Sequence, residues 1–224
     1  LTNSAYFSLP TRITSIRKAV QFLGLETIRS LVAADGLFKL SNVRPEIASQ
    51  IQQISRESMV IAGLAKKIAL SEDLDTGEVE QAFCCGLLCR LGCVLLLMNP
   101  SNEVKEYLQR LEVNSTTISA TEKMLFGTTH SEVGAYLLGL WGFADSIVEA
   151  VLHQHDPSRI VVKCFNATIA VYVAESLLVY LSEAKKGQTS KPEMVMLNEP
   201  YIRDLGKLDR IPIWIDLCNT SESL

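Results

Sequence analysis

Four of the six cysteines crowd into one apolar stretch at Cys84, Cys85, Cys89 and Cys93, and an arginine stands among them in Gly86-Leu87-Leu88-Cys89-Arg90-Leu91-Gly92. On a helix, Cys85, Cys89 and Cys93 repeat at four-residue steps and share a face, an arrangement that can offer thiolates to a metal. No C-x-x-C pair accompanies them. Buried cysteine behaves as a small apolar residue, and packing is the plainer reading. The three histidines are His130, near the start of THSEVGAYLLGLWG, and His153 and His155 at the end of EAVLHQHDP. Imidazoles two residues apart on a helix point in different directions, so they chelate only if the helix has already ended. A helix-end or surface imidazole is the simpler role for each.

Several other site chemistries are absent. There is no G-x-G-x-x-G, Walker lysine, H-E-x-x-H or G-x-S-x-G motif, so the nucleotide-fold and common hydrolase readings lose their support. A net charge of −4 over 224 residues gives no general attraction to DNA, RNA or anionic lipid. Thiols concentrated in one predicted helix, rather than spread over loops, imply a reduced and cytoplasmic protein. Phe83 to Met98 falls short of the roughly 20 residues that span a bilayer and carries Arg90 near its middle, so it reads as a buried helix. No secretory signal is visible, and an opening on Leu1 rather than Met reads as a fragment with its upstream part missing.

The elements that must position these residues are helices. Leu25, Ile28, Leu31 and Val32 form one apolar stripe, and Ile47, Ile51, Ile54, Ile61, Leu64 and Ile68 form another. Pro45 suits an early helical position, and Asn99-Pro100 reads as a cap followed by proline in the first turn. Asp75 with Glu78, Ser119 with Glu122, and Thr129 with Glu132 have capping-box spacing. Val161 to Ala184 predicts one more long helix. Lys185 to Pro192 reads as a solvated loop, followed by a tail whose Ile211, Ile213, Trp214 and Ile215 predict a short helix. Lys66-Lys67 and Lys185-Lys186 read as solvated helix ends. The fold class is all-α, a single compact helical bundle.

Four segments in order resemble the HD-related output domain (HDOD) family, a branch of the HD phosphohydrolase superfamily. They are the opening LTNSAYFSLPTRITSIRKAVQFLGLETIRSLV, then RESMVIAGLAKKIA, then GLLCRLG, then HSEVGAYLLGLWGFADSIVEAVLHQHDP. The resemblance covers 1–184 as an HD-like helical domain and leaves 185–224 as a loop and C-terminal helical extension. In the catalytic relatives it implies a metal site of a histidine, a His-Asp doublet and a later aspartate. Here the first histidine falls on Glu57, the doublet on Cys89 and Arg90, and the aspartate on Glu175. All four differ. Arg90 cannot lose its proton to ligate, and a guanidinium at a ligand position repels a divalent ion.

The resemblance therefore suggests that Arg90 supplies the positive charge once supplied by a metal, held between Glu57 and Glu175. The milder alternative is an Arg90 that extends to solvent. His130 and His155 match later family histidines, with Gln154 where a neighbouring histidine is usual. They fit either a residual one-metal site or a hydrogen-bonded strut in a degenerate pocket, and the strut is favoured. No cofactor is expected. Three function classes follow. The first is a non-catalytic signalling output domain, attached to an upstream receiver or sensory part and acting through protein partners or self-association. The second is a pocket for nucleotides or cyclic dinucleotides with Arg90 as a phosphate contact. The third is a metal-dependent phosphohydrolase, which loss of the doublet disfavours.

Overall fold

The structure, a computed structural model, describes residues 24–38, 45–99, 101–113, 118–160, 164–185 and 197–221. The described residues form eleven α-helices and two 3-10 turns with no strand. They are α1 (Leu25–Phe38), α2 (Pro45–Ser71), α3 (Thr76–Leu88), α4 (Leu91–Met98), α5 (Glu103–Val113), α6 (Ile118–Phe126), α7 (His130–Leu140), α8 (Asp145–Leu152), α9 (Ala167–Lys185), α10 (Glu199–Asp204) and α11 (Ile211–Ser221).

The 27-residue α2 is the spine, packed against α3, α9 and α11. Its stripe of Ile47, Ile51, Ile54, Ile61, Leu64 and Ile68 is buried throughout, each side chain contributing roughly 1.5–3 kcal/mol by leaving water. The stripe serves two cores. Ile61, Leu64 and Ile68 join the main cluster with α3, α9 and Trp214, whereas Ile47, Ile51 and Ile54 join a smaller one with Cys93, Leu97, Val104 and Tyr107.

The segment expected as one helix from Phe83 to Met98 is two. α3 ends at Leu88, and the chain turns at Cys89 and Arg90, the latter with φ −101° and ψ 10°. Two glycines set this corner by close approach. A Cβ on Gly86 would lie 2.7 Å from the Ala62 Cα of α2, and one on Gly92 would lie 1.9 Å from the His130 carbonyl oxygen. Cys85, Cys89 and Cys93 consequently share no continuous helical face, which removes the thiolate row read from their spacing. The apolar run is core, not a span: it is interrupted at the corner and mostly buried.

Other boundaries shift for local reasons. Asn99 caps the C-terminus of α4 instead of opening the next helix, which begins at Glu103; Pro100 lies outside the described residues. Val32 is exposed and leaves its stripe. α9 begins at Ala167, where Asn166 Oδ1 accepts the Ile169 N–H at 3.1 Å, rather than at Val161. Lys185 closes α9, while the remainder of the expected loop lies outside the described residues. Thr129 and Glu132 form a complete capping box, which makes His130 the first residue of α7. The C-terminal helices are joined to the main core through Ile202, Trp214 and Cys218. At its edge Glu72 accepts from Lys207 at 2.7 Å, Arg210 at 2.7 Å and Trp214 Nε1 at 2.9 Å.

Candidate functional site

The corner after α3 lifts Arg90 off the helical path and turns its side chain between α2 and α9. Its Nη1 lies 2.9 Å from Glu57 Oε2, and its Nε lies 3.5 Å from Glu175 Oε1. The second contact is an ion pair without hydrogen-bond geometry, for Arg90 Nε has no hydrogen-bond partner among the described residues. Glu175 also faces His155, whose Nδ1 is 3.2 Å from Oε2. That oxygen likewise has no hydrogen bond among the described residues. Side-chain exposures of 18% for Arg90, 6% for Glu175, 28% for Glu57 and 43% for His155 put Glu57 and His155 on the solvent side of the cluster and Glu175 at its buried end.

His155 leads inward. α8 ends at Leu152 and His153 is its C-cap, so Gln154 and His155 sit on the following turn. His155 Nε2 is 2.8 Å from His130 Nε2, a contact in which one nitrogen donates and the other accepts. The opposite nitrogen of His130, Nδ1, meets both oxygens of Glu122 at 2.9 and 2.7 Å. Glu122 also accepts the His130 backbone N–H at 2.9 Å and the Tyr107 hydroxyl at 2.5 Å. Gln154 is fully buried and donates to the Cys89 carbonyl at 3.0 Å and to Ser131 Oγ at 2.9 Å, and its own Oε1 has no partner among the described residues. A polar path therefore runs from Glu57 through Arg90, Glu175, His155, His130 and Glu122 to Tyr107.

Charge is unevenly matched along this path. Burial works against the Arg90 cation, but Glu175 and Glu57 more than reverse it and hold the guanidinium charged. Burial and then the Glu175 charge push the Cys89 thiol well up, so it is a thiol whose sulfur turns toward the Gly86 carbonyl at 3.1 Å. Burial likewise disfavours the His130 cation, yet Cys93 and Glu122 hold its pKa well above the ordinary imidazole value. His155 is held below that value by burial and by the charges of His130 and Arg90, against the opposing pull of Glu175.

Glu57, Cys89, Arg90 and Glu175, which the resemblance aligns with the HD metal ligands, do not fit a divalent ion. Arg90 fills the space between Glu57 and Glu175 with positive charge, and protonated Cys89 offers no thiolate. Sequence reasoning brought Glu57, Cys89, Arg90, Glu175, His130, Gln154 and His155 forward, and the fold joins all seven in one cluster of contacts. It missed Tyr107 and the role of Glu122, and it brought Cys93 forward only as part of a thiolate row with Cys85 and Cys89. Glu122 stands three residues after Ser119 and was read as a capping partner; in fact α6 begins at Ile118 and the Glu122 carboxylate points to His130. His130 and Glu122 are eight residues apart across a turn, a spacing with no regular signature.

The HDOD domain family matches residues 1–157. Among solved structures, an HDOD domain protein of unknown function from Geobacter sulfurreducens superposes with a TM-score of 0.65 at 22% identity, over 99% of this chain and 78% of that one. A protein from Shewanella amazonensis, provisionally named a phosphohydrolase, gives 0.64 at 16% identity over 96% and 76%. One from Marinobacter aquaeolei, provisionally named a signal transduction protein, gives 0.54 at 19% over 97% and 51%. These likenesses show a shared fold. No curated protein matches the chain significantly.

Proposed function

Because the chain belongs to the HDOD domain family, we propose that it is a non-catalytic output or regulatory domain of a cytoplasmic signalling protein, acting through contacts with partner proteins. The observation that carries this reading is Arg90 between Glu57 and Glu175 at 2.9 and 3.5 Å. In an HD hydrolase that location holds a metal that activates water. A guanidinium can balance the same carboxylates and hold the same helices together, but it has no vacant coordination position and cannot lower the pKa of a bound water. The scaffold keeps its architecture while the reaction loses its reagent.

On this reading the input comes from an attached receiver or sensory part and the output is a surface. Tyr136, Leu140 and Trp141 on and just after α7 are exposed and offer apolar anchors for a partner protein or a second copy. The net charge of −4 supports a protein partner over nucleic acid or an anionic membrane.

A nucleotide-binding pocket is the second reading. The unpartnered Arg90 Nε favours it, but the two carboxylates already paired with that guanidinium repel a phosphate. The test is hydrolysis of a generic phosphodiester by the purified protein with Mg²⁺, Mn²⁺ or Zn²⁺, paired with a thermal-shift screen of nucleotides and cyclic dinucleotides. No turnover and no shift are expected. Turnover lost in Glu175→Gln would overturn the non-catalytic reading, and a nucleotide shift lost in Arg90→Ala would replace it with the binding module.

A further inference from the structure

Cys93, Glu122 and His130 come from α4, α6 and α7, and their ligand atoms all lie within 4.8 Å of one another. All three side chains are buried. The cluster lies on the Nδ1 side of the His130 ring, whereas the Arg90 pocket reaches that ring from the Nε2 side through His155. We propose that Cys93, Glu122 and His130 are a closed, structural site for a divalent transition metal of the zinc class, with a water as fourth ligand. This site uses none of Glu57, Cys89, Arg90 and Glu175, and of the positions that the resemblance matches it takes only His130.

The donor set selects the ion. One sulfur, one imidazole nitrogen and one carboxylate oxygen suit tetrahedral Zn²⁺ or Co²⁺, whereas Mg²⁺ and Ca²⁺ require mostly oxygen. Charge agrees with burial: a thiolate and a carboxylate cancel the two positive charges of the ion, so the loaded cluster is neutral in an apolar surrounding. Binding forms metal bonds to Cys93 Sγ, His130 Nδ1 and a Glu122 oxygen. The thiol proton and the Nδ1 proton leave to solvent. His130 and Glu122 lie 2.7 Å apart at closest, and two ligands at the tetrahedral distances of about 2.0–2.1 Å need to move apart by roughly half an ångström.

The ligands are already oriented. The His130 Nε2 is engaged by His155, and Glu122 is held by the His130 backbone N–H and by Tyr107. Partners of this kind fix the tautomer and the carboxylate direction in metal sites. The ion would tie α4, α6 and α7 together where Cys93 and Tyr107 belong to the smaller core. The full chain, stripped by chelator and titrated with Co²⁺, is expected to develop a near-ultraviolet thiolate-to-cobalt band at one equivalent. Zn²⁺ should bleach it, Cys93→Ser should abolish it, and replacement of the exposed Cys164 by Ser should leave it intact.

No band in the wild type, or a band retained in Cys93→Ser, overturns the proposal. A band lost instead in Cys89→Ser would return the metal to the inherited positions and sink the non-catalytic reading too, so the two failures are distinguishable. If Cys93→Ser does not fold, alkylation of the wild type in mild urea decides. Zinc that protects Cys93 but not Cys89 supports the site, and zinc that leaves Cys93 as reactive as before overturns it.

Discussion

Two buried carboxylates in this molecule are solved in opposite ways. Glu72, 1% exposed, accepts from Lys207, Arg210 and Trp214, and both of its oxygens are matched. Glu175, 6% exposed, shares a single guanidinium with Glu57, and one of its oxygens has no hydrogen-bond donor among the described residues. The first arrangement is a fastener that holds the C-terminal helices to α2. The second keeps unpaired polar atoms on Arg90, Gln154 and Glu175 in one place, and a fold optimised for stability alone would not leave them there.

Four substitutions separate these regions, in order of expected effect. Gly92→Ala places a Cβ against the His130 carbonyl and forces α4 from α7. We expect a loss of 3 kcal/mol or more, on the order of the larger overpacking penalties, and circular dichroism melts should show no cooperative native transition. Arg90→Met leaves Glu175 buried without its cation and should lower stability by about 3 kcal/mol in urea unfolding. The double variant Arg90→Met with Glu175→Gln should recover most of that. Failure to recover would mean that the two residues are not coupled.

Glu72→Gln should cost about 2 kcal/mol, since Lys207 and Arg210 are partly exposed and regain water while the amide oxygen can still accept from the buried Trp214. It also carries a pH signature. Although burial raises the Glu72 pKa, its hydrogen bonds from Lys207, Arg210 and Trp214 lower it below the ordinary 4.5 overall. A group depressed in the folded state stabilises the fold above its unfolded value and loses that contribution as the pH falls through the folded one. Stability measured from pH 5 downward should therefore fall less steeply in Glu72→Gln than in the wild type. Thr129→Ala breaks the capping box in front of His130 and should cost about 1 kcal/mol by the same unfolding measurement.

The helices were legible because apolar period and capping chemistry are local: the isoleucine row of α2 and the Thr129–Glu132 box needed no tertiary information. The corner at Cys89 and Arg90 was not. It is made by Gly86 meeting Ala62 and Gly92 meeting His130, contacts between residues far apart in the chain, and a continuous apolar run conceals it. The same blindness hid Glu122, whose local spacing suggests a cap while its partners lie on α5 and α7. Glu57, Arg90 and Glu175 were found through family resemblance alone, for no periodicity links residues so widely separated.

The central claim is that the guanidinium of Arg90 does the electrostatic work of a metal. Thermal unfolding of wild-type protein and Arg90→Asp, each titrated with Mn²⁺, tests it most directly, because Mn²⁺ favours oxygen ligands and does not suit the cysteine-containing cluster at Cys93. The account predicts a wild type indifferent to Mn²⁺ and a destabilised variant that Mn²⁺ restores saturably. A wild type that Mn²⁺ itself stabilises saturably, with the effect lost in Glu175→Gln, would contradict it.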